Sequence, residues 1–346
     1  MILNFFLIFS YYQYISTGDY KLENQEKPAN QNRILSIDVF KGFIILLMVF
    51  VNTIPFFENI PSWTKHAPDY GLTYVDLIAP AFIFIMALNF NISFAKREQR
   101  NSKLNVYLHF LIRNLIIIGI GLFLYLGIDE SGILLRWGIL QVLGFSGLFL
   151  LLVIKLHYIV KLVIGLFFVT IHQFLLSTFI GDIIFDMIEG GIIGSLSWIS
   201  LIIFSSVICK EFLENRHEKY FLIFGLIFFT IGFVTTFIWG LSRFRITLPF
   251  IFLSVGISSL VFYLFYLYFD RLGNKKDSIK KDNFLSIMGK NSLILFIFHF
   301  VINSFIYQVS PVDLNMTLAF SIAIIHCFII WIIAYGMFKL DLFIKI

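Results

Sequence analysis

Cysteine is nearly absent from this 346-residue chain, charge is scarce, and no internal repeat or low-complexity block organises it. The two cysteines, Cys209 and Cys327, fall in or beside apolar segments, so neither a disulfide framework nor a metal-ligand spacing can be built, and no metal is expected. Charged residues are only 14% of the sequence, against 59% hydrophobic residues, 44 phenylalanines and a mean hydropathy of +0.90. A soluble domain of this length needs far less apolar surface; a multispanning membrane protein needs this much. The first sixteen residues are aromatic and apolar, but they lack a basic n-region and an A-x-A-like site. They read as an interfacial or loosely ordered arm, not as a signal peptide.

What is present is a succession of apolar runs, each near the ~20 residues that cross a bilayer. They centre on residues 34–55, 73–95, 104–127, 134–154, 158–180, 190–209, 220–240, 246–269, 283–308 and 317–338. The expected fold class is all-α: a polytopic bundle of about ten transmembrane helices over 33–346, preceded by an arm and polar linker over 1–32. Basic residues set its orientation. Lys96, Arg97, Arg100 and Lys103, then Lys155 and Lys161, then Lys210, Arg216 and Lys219, then Arg271, Lys275, Lys276, Lys280 and Lys281 occupy one set of alternate loops. Asp129, Glu130, Asp182, Asp186, Glu189 and Asp313 occupy the other set. The positive-inside rule puts the basic loops and both termini in the cytoplasm. The net charge of +5 is thus spread along one membrane face, which fits membrane lipid as a partner and not nucleic acid.

Four basic residues break that rule on the outer side: Lys65, Arg136, Arg243 and Arg245. Each is either an ordinary loop charge or part of an outer mouth that greets an anionic or hydroxyl-rich substrate. Arg136 opens the fourth span as RWGILQVLG and brings Gln141 into the membrane.

The densest information lies between residues 33 and 86, where Asp38, Asn52, His66 and Asp76 interrupt two apolar segments. Ionisable groups at membrane depth cost several kcal/mol unless paired or hydrated, so they are functional candidates by default. Asp38 and Asn52 are fourteen residues apart, roughly 21 Å along a helix and within about 40° on one face. Gly42 shares that face, where a small residue admits a neighbouring helix or a ligand. The stripe reads either as a groove for an elongated ligand or as helix packing, with Asp38 paired to Lys41 at i+3. His66 lies in the outer loop WTKHAPDYGLT, a common place for a plain surface histidine. Its company is what matters. Asn52 and Asp76 bracket it at one membrane level, so a carboxylate can fix the imidazole tautomer and an amide can stabilise an oxyanion, as acyl transfer requires. In GKNSLILFIFHF, His299 lies in the outer half of its span, level with His66, and is either a packing residue or a contributor to the site. His172 and His326 read as structural, and Asn89 and Asn91 as interhelical contacts.

At these residues the chain resembles the membrane-bound heparan-α-glucosaminide N-acetyltransferase family and its bacterial relatives. The motifs are RILSIDVFKGFIILLMVFVN, KHAPDYGLTYVDLIAPAFIFIMA, RWGILQVLG and the NSLILFIFH segment, with residues 33 to 150 covered best. The resemblance implies transfer of acetyl from cytosolic acetyl-CoA, through the bilayer, to an amino sugar on the far side. It implies a catalytic role for His66, a place for Asn52 in the same site, and matches of Asp38, Asp76, Arg136 and Gln141 to motif positions. Lys41 stands where the family usually has arginine, Ala87 where it has glycine, and Asp69-Tyr70 where a Trp-Asn pair follows the histidine. No long extracytoplasmic domain is expected.

The expected catalytic set is therefore His66, Asn52 and Asp76. Acetyl-CoA, as co-substrate, is expected near Asp38, Lys41, Gly42, Arg97 and Arg113. The glycan acceptor is expected near Lys65, Arg136, Gln141, Arg243 and His299. The protein is expected in a bacterial plasma membrane, with a homodimer left open. A transporter is the rival reading, although inverted repeats and paired Gly/Pro-broken helices are missing. A non-catalytic subunit of an envelope-polysaccharide assembly is the third.

Overall fold

A computed structural model describes residues 34–129, 132–215, 217–273 and 282–343. The arm at 1–32, Arg33, Glu130, Arg216, Lys345 and the loop lysines Lys275, Lys276, Lys280 and Lys281 lie outside the described residues. Among the described residues the chain is all-α apart from one hairpin. Its helices are α1 (Leu35–Thr53), α2 (Ile78–Glu98), α3 (Lys103–Leu124), α4 (Ile139–Val153), α5 (Tyr158–Leu176), α6 (Ile180–Asp186), α7 (Gly191–Asn215), α8 (Lys219–Trp239), α9 (Leu248–Tyr266), α10 (Phe284–Lys290), α11 (Ser292–Val309) and α12 (Met316–Lys339). Among the described residues nine helical stretches are long and apolar enough to cross a membrane, and α4 is a shorter apolar helix. The protein is a multi-pass membrane protein.

Two expected spans differ from the observed helices. Residues Leu126–Asp129 and Gly132–Leu135 pair as an antiparallel hairpin, β1 and β2, so α4 starts only at Ile139 and Arg136 precedes it. Gln141 marks that start. Its Oε1 accepts from Gly138 N–H at 3.1 Å and its Nε2 donates to Arg136 O at 3.0 Å, satisfying groups that a helix N-terminus leaves open. The ninth segment is broken at Asn291 into α10 and α11. There φ −122° and ψ 32° leave the helical region, and the Asn291 amide donates to Leu342 O at 2.9 Å.

Burial separates centre from rim. The α7 span is 83% buried, whereas those of α5, α8 and α11 are 22% buried each. Helices α2, α4, α5 and α9 pack against α7, α1 packs against α2 and α9, and the rim helices turn residues such as Phe174, Phe233, Phe237 and Phe305 outward. Apolar side chains on that outer surface are at home only in lipid. Inside, Ser200 and Ser205 of α7 donate to the carbonyls four residues earlier, which hides hydroxyls that water cannot reach. Asn91 on α2 donates to Ser206 on α7 at 3.0 Å, an interhelical bond of the expected kind.

Helix α1 is anchored at both ends. Its first N–H groups, Leu35 and Ser36, donate to the Asp270 carboxylate at 2.8 and 2.9 Å. At the other end Pro55 cannot continue the helix, and a 3-10 turn follows at Ile54–Phe56. The Asn52 carbonyl is taken up by Asn303 Nδ2 at 2.8 Å and by the Tyr307 hydroxyl.

Candidate active site

The site lies where the loop after α1, the hairpin, the start of α7 and the loop after α8 converge. Thr73 and Asp76 form a capping box that opens the 3-10 turn Tyr74–Leu77, which leads into α2. Asp76 Oδ2 accepts the N–H groups of Thr73 (2.7 Å) and Ala67 (3.3 Å), while Oδ1 faces His66 Nδ1 at 2.7 Å. Asp76 is fully buried and His66 is 36% exposed. A buried carboxylate so supplied with donors stays acceptor-only, which fixes the proton of His66 on Nδ1 and leaves Nε2 as a free base.

His66 and Asn52 line one cavity of about 110 Å³, with Met48, Val51, Tyr125, Ile139, Glu189, Arg243 and Phe300 among its other walls. A second cavity of about 370 Å³ shares Asn52, Tyr125 and Phe300 and continues past Pro55, Asn303, Ser304 and Tyr307. Behind Asn52 lies His299, fully buried. Its Nδ1 faces the Phe296 carbonyl, so Nδ1 carries the proton and Nε2 is an acceptor. Asn52 Nδ2 therefore donates to His299 Nε2 at 3.0 Å, which fixes the amide's orientation and leaves its second hydrogen unused there. His326 backs this pair, with Nδ1 bonded to Thr53 Oγ1 at 2.9 Å.

The loop 240–247 completes the wall. Arg243 pairs with Glu189 at 2.5 Å, both nearly buried, and Phe244 meets the His66 ring edge-on at 6.0 Å. Arg245 Nε bonds both oxygens of Asp69 at 2.9 Å, Ser242 Oγ donates to Asp69 at 3.0 Å, and Gly71 N–H donates to Leu241 O at 2.8 Å. The Asp69 carboxylate holds the Arg245 guanidinium above its usual range. Burial, and then the Glu189 carboxylate, push the Tyr125 phenol up, so it stands in the cavity as a neutral hydroxyl. Glu189 has φ 51° and ψ 26°, a left-handed conformation that non-glycine residues rarely adopt. Gly190 and Gly191 follow with φ 70° and 63°, and the Ile246 side chain fills the space above Gly190 and Gly194.

The structure thus brings together His66, Asn52, Asp76 and Arg243, with His299 one bond behind Asn52. It does not bring in the others. Arg136 is exposed at the foot of the hairpin, Gln141 spends both polar ends on its helix cap, and Lys65 is not part of either cavity wall. Asp38 and Lys41 bond to each other at 2.9 Å, as the i+3 packing alternative has it. At Gly42 a Cβ would fall 1.8 Å from the Leu285 carbonyl oxygen, and at Gly289 one would fall 1.8 Å from that of Asp38. The close approach at Gly42 is taken by α10, and of α1 only Met48, Val51 and Asn52 line the inner cavity. Arg97 and Arg113 lie near the basic end of α2 and α3, both close enough to His109 to act on its charge. Among the described residues no group of three His, Cys, Asp or Glu side chains can hold a metal ion.

Sequence reasoning passed over Glu189 and Tyr125. Glu189 looked like one more acid of an outer loop, and the only local signal was the Gly190-Gly191 pair behind it.

The comparisons with known proteins bear on the family. Two curated relatives, both heparan-alpha-glucosaminide N-acetyltransferases, match over 107 residues: that of Mus musculus at 36% identity and that of Homo sapiens at 35%. The match covers 30% of this chain and only 15% and 16% of those two proteins' lengths. The model of the heparan-alpha-glucosaminide N-acetyltransferase catalytic family matches residues 33–267, well over half of the 346. The chain belongs to that family.

Proposed function

We propose that this protein moves an acetyl group from cytosolic acetyl-CoA across a bacterial plasma membrane to an amino sugar of an extracytoplasmic glycan, as an N- or O-acetyl transfer. The observation that carries this reading is the His66–Asp76 pair at 2.7 Å, opening on the cavity that also holds the Asn52 amide. Both relatives bear the name of a glucosaminide acetyltransferase, and the acceptor class is taken over from them.

The chemistry follows from the tautomers. The acceptor nitrogen attacks the thioester carbonyl carbon while His66 Nε2 removes its proton, and Asp76 stabilises the imidazolium that results. Charge develops on the carbonyl oxygen, towards which Asn52 can turn the N–H not spent on His299. Collapse of the tetrahedral intermediate breaks the carbon–sulfur bond, and His66 returns its proton to the departing CoA thiolate. Arg97 and Arg113, with Lys41 and Arg100, supply cationic partners for the phosphates at the cytoplasmic end. A pantetheine arm running along α1 requires α10 to move off Gly42.

Proteoliposomes holding labelled acetyl-CoA on one face and glucosamine on the other test the proposal. Labelled N-acetylglucosamine is expected from the wild type, none from His66→Ala, and about 10²–10³-fold less from Asn52→Ala. Full turnover by a folded His66→Ala variant sinks the catalytic assignment. Accumulation of unmodified glucosamine points to the transporter instead.

A further inference from the structure

Two polar atoms beside the inner cavity have no hydrogen-bond partner among the described residues: Glu189 Oε2 and Arg243 Nε. They belong to side chains that are already joined, through Glu189 Oε1 and a terminal Arg243 nitrogen, and both residues form part of the cavity wall with His66. The pair therefore carries one open acceptor and one open donor. Neither atom has a task in the acetyl-transfer steps above.

The chain goes to some length to put them there. Glu189 is held left-handed, its carbonyl accepts Trp198 Nε1 at 3.3 Å, and Ile246, itself at φ 51°, packs over Gly190. Strained backbone of this kind persists where surrounding contacts enforce it, and it concentrates at ligand sites. Buried polar groups without partners are rare enough in folded proteins to call for an explanation, and an absent ligand is one.

The chemistry of that ligand is narrow. The ion pair is neutral as a whole, so a phosphate or carboxylate brought to Arg243 would also meet the Glu189 carboxylate. An apolar or thioester group would leave both atoms open. A ring carrying two adjacent polar substituents, one donating and one accepting, satisfies both, as vicinal hydroxyls or a hydroxyl beside an amine do. We infer that Glu189 and Arg243 form a two-point dock for two neighbouring polar substituents of the acceptor sugar, and so position it against His66. The inference rests on the acetyl-transfer reading for its choice of acceptor. Glu189 acts here as a positioning and specificity residue.

Acetyl transfer to glucosamine and to its 3-deoxy and 4-deoxy analogues, measured for wild type and Glu189→Gln, tests the dock. A hydrogen bond to a charged group is worth roughly 10- to 100-fold. The wild type is expected to lose about that factor in kcat/KM on at least one deoxy analogue. Glu189→Gln is expected to raise the KM for glucosamine about tenfold, to narrow the gap between parent and deoxy acceptors, and to leave the KM for acetyl-CoA within about twofold. Equal use of all three acceptors by the wild type, or a uniform rate loss in the variant with the gap unchanged, overturns the inference. Arg243→Lys, which keeps the charge and loses the Nε donor geometry, gives the same comparison should Glu189→Gln not fold. Equilibrium glucosamine binding, followed by tryptophan fluorescence, separates the two readings. Binding weakened by Glu189→Gln in a protein that transfers no acetyl would keep the dock and discard the transferase.

Discussion

Asp76 meets two demands with one carboxylate: it caps the turn that starts α2, and it orients the imidazole of His66. Its Oδ2 serves Thr73 and Ala67 while Oδ1 is reserved for the histidine. Replacing it by asparagine keeps the shape but offers only one acceptor atom. Whichever way that amide turns, either the backbone donors or His66 Nδ1 meets an N–H. We expect Asp76→Asn to cut acetyl transfer by at least about 10²-fold, the usual scale for a displaced general base. Because in either orientation an N–H is left facing another donor in a buried place, the same variant should lose about 1–3 kcal/mol of stability. Rate and thermal melting of one preparation check both, and an unchanged rate would remove Asp76 from the mechanism. At this scale the sequence was informative: Asn52 and Asp76 interrupt apolar segments, and His66 stands out by lying between them.

Between helices the decisive contact is α1 against α10. Gly42 and Gly289 let two backbones touch, with carbonyl oxygens where side chains would stand. Gly42→Ala should push these helices apart and destabilise the protein by about 1–3 kcal/mol, read as a lower melting temperature in detergent. An unshifted melting temperature would mean that the contact is not held tightly. The sequence presented Gly42 and α1 as a stripe with room beside it, open to helix or ligand alike. It did not reveal which occupant takes the room, because the partner is a seven-residue helix 243 residues further on that hides inside a longer apolar run. The same blindness applied to Arg136 and Gln141. Their motif sits at the start of an apolar segment, but a hairpin of Leu126–Asp129 with Gly132–Leu135 consumes its first turn. Hydropathy counts apolar residues and does not register a strand pair. Glu189 was lost for a related reason, since its inward placement depends on positive φ angles, which composition does not encode.

Across the whole molecule, the apolar rim was implied by bulk composition, and the ten apolar runs answer to nine long spans and one shorter helix among the described residues. Sidedness can be measured directly. Cys209 and Cys327 are 0% and 9% exposed, so neither should react with a membrane-impermeant maleimide. Trp63→Cys, at an exposed position near His66, is expected to label in intact cells, and Gln99→Cys, beyond the basic end of α2, only after permeabilisation. The reverse pattern would invert the topology and the direction of transfer. The link between Asp69 and Arg245 has its own consequence for anyone redesigning the protein. The counter-charge of Asp69 is supplied 176 positions downstream, so the two surface segments form one exchangeable unit. Grafting different residues after His66 alone would leave the Arg245 guanidinium with only Asp182, at 3.7 Å, whereas a chimera that swaps both segments together keeps the charges matched.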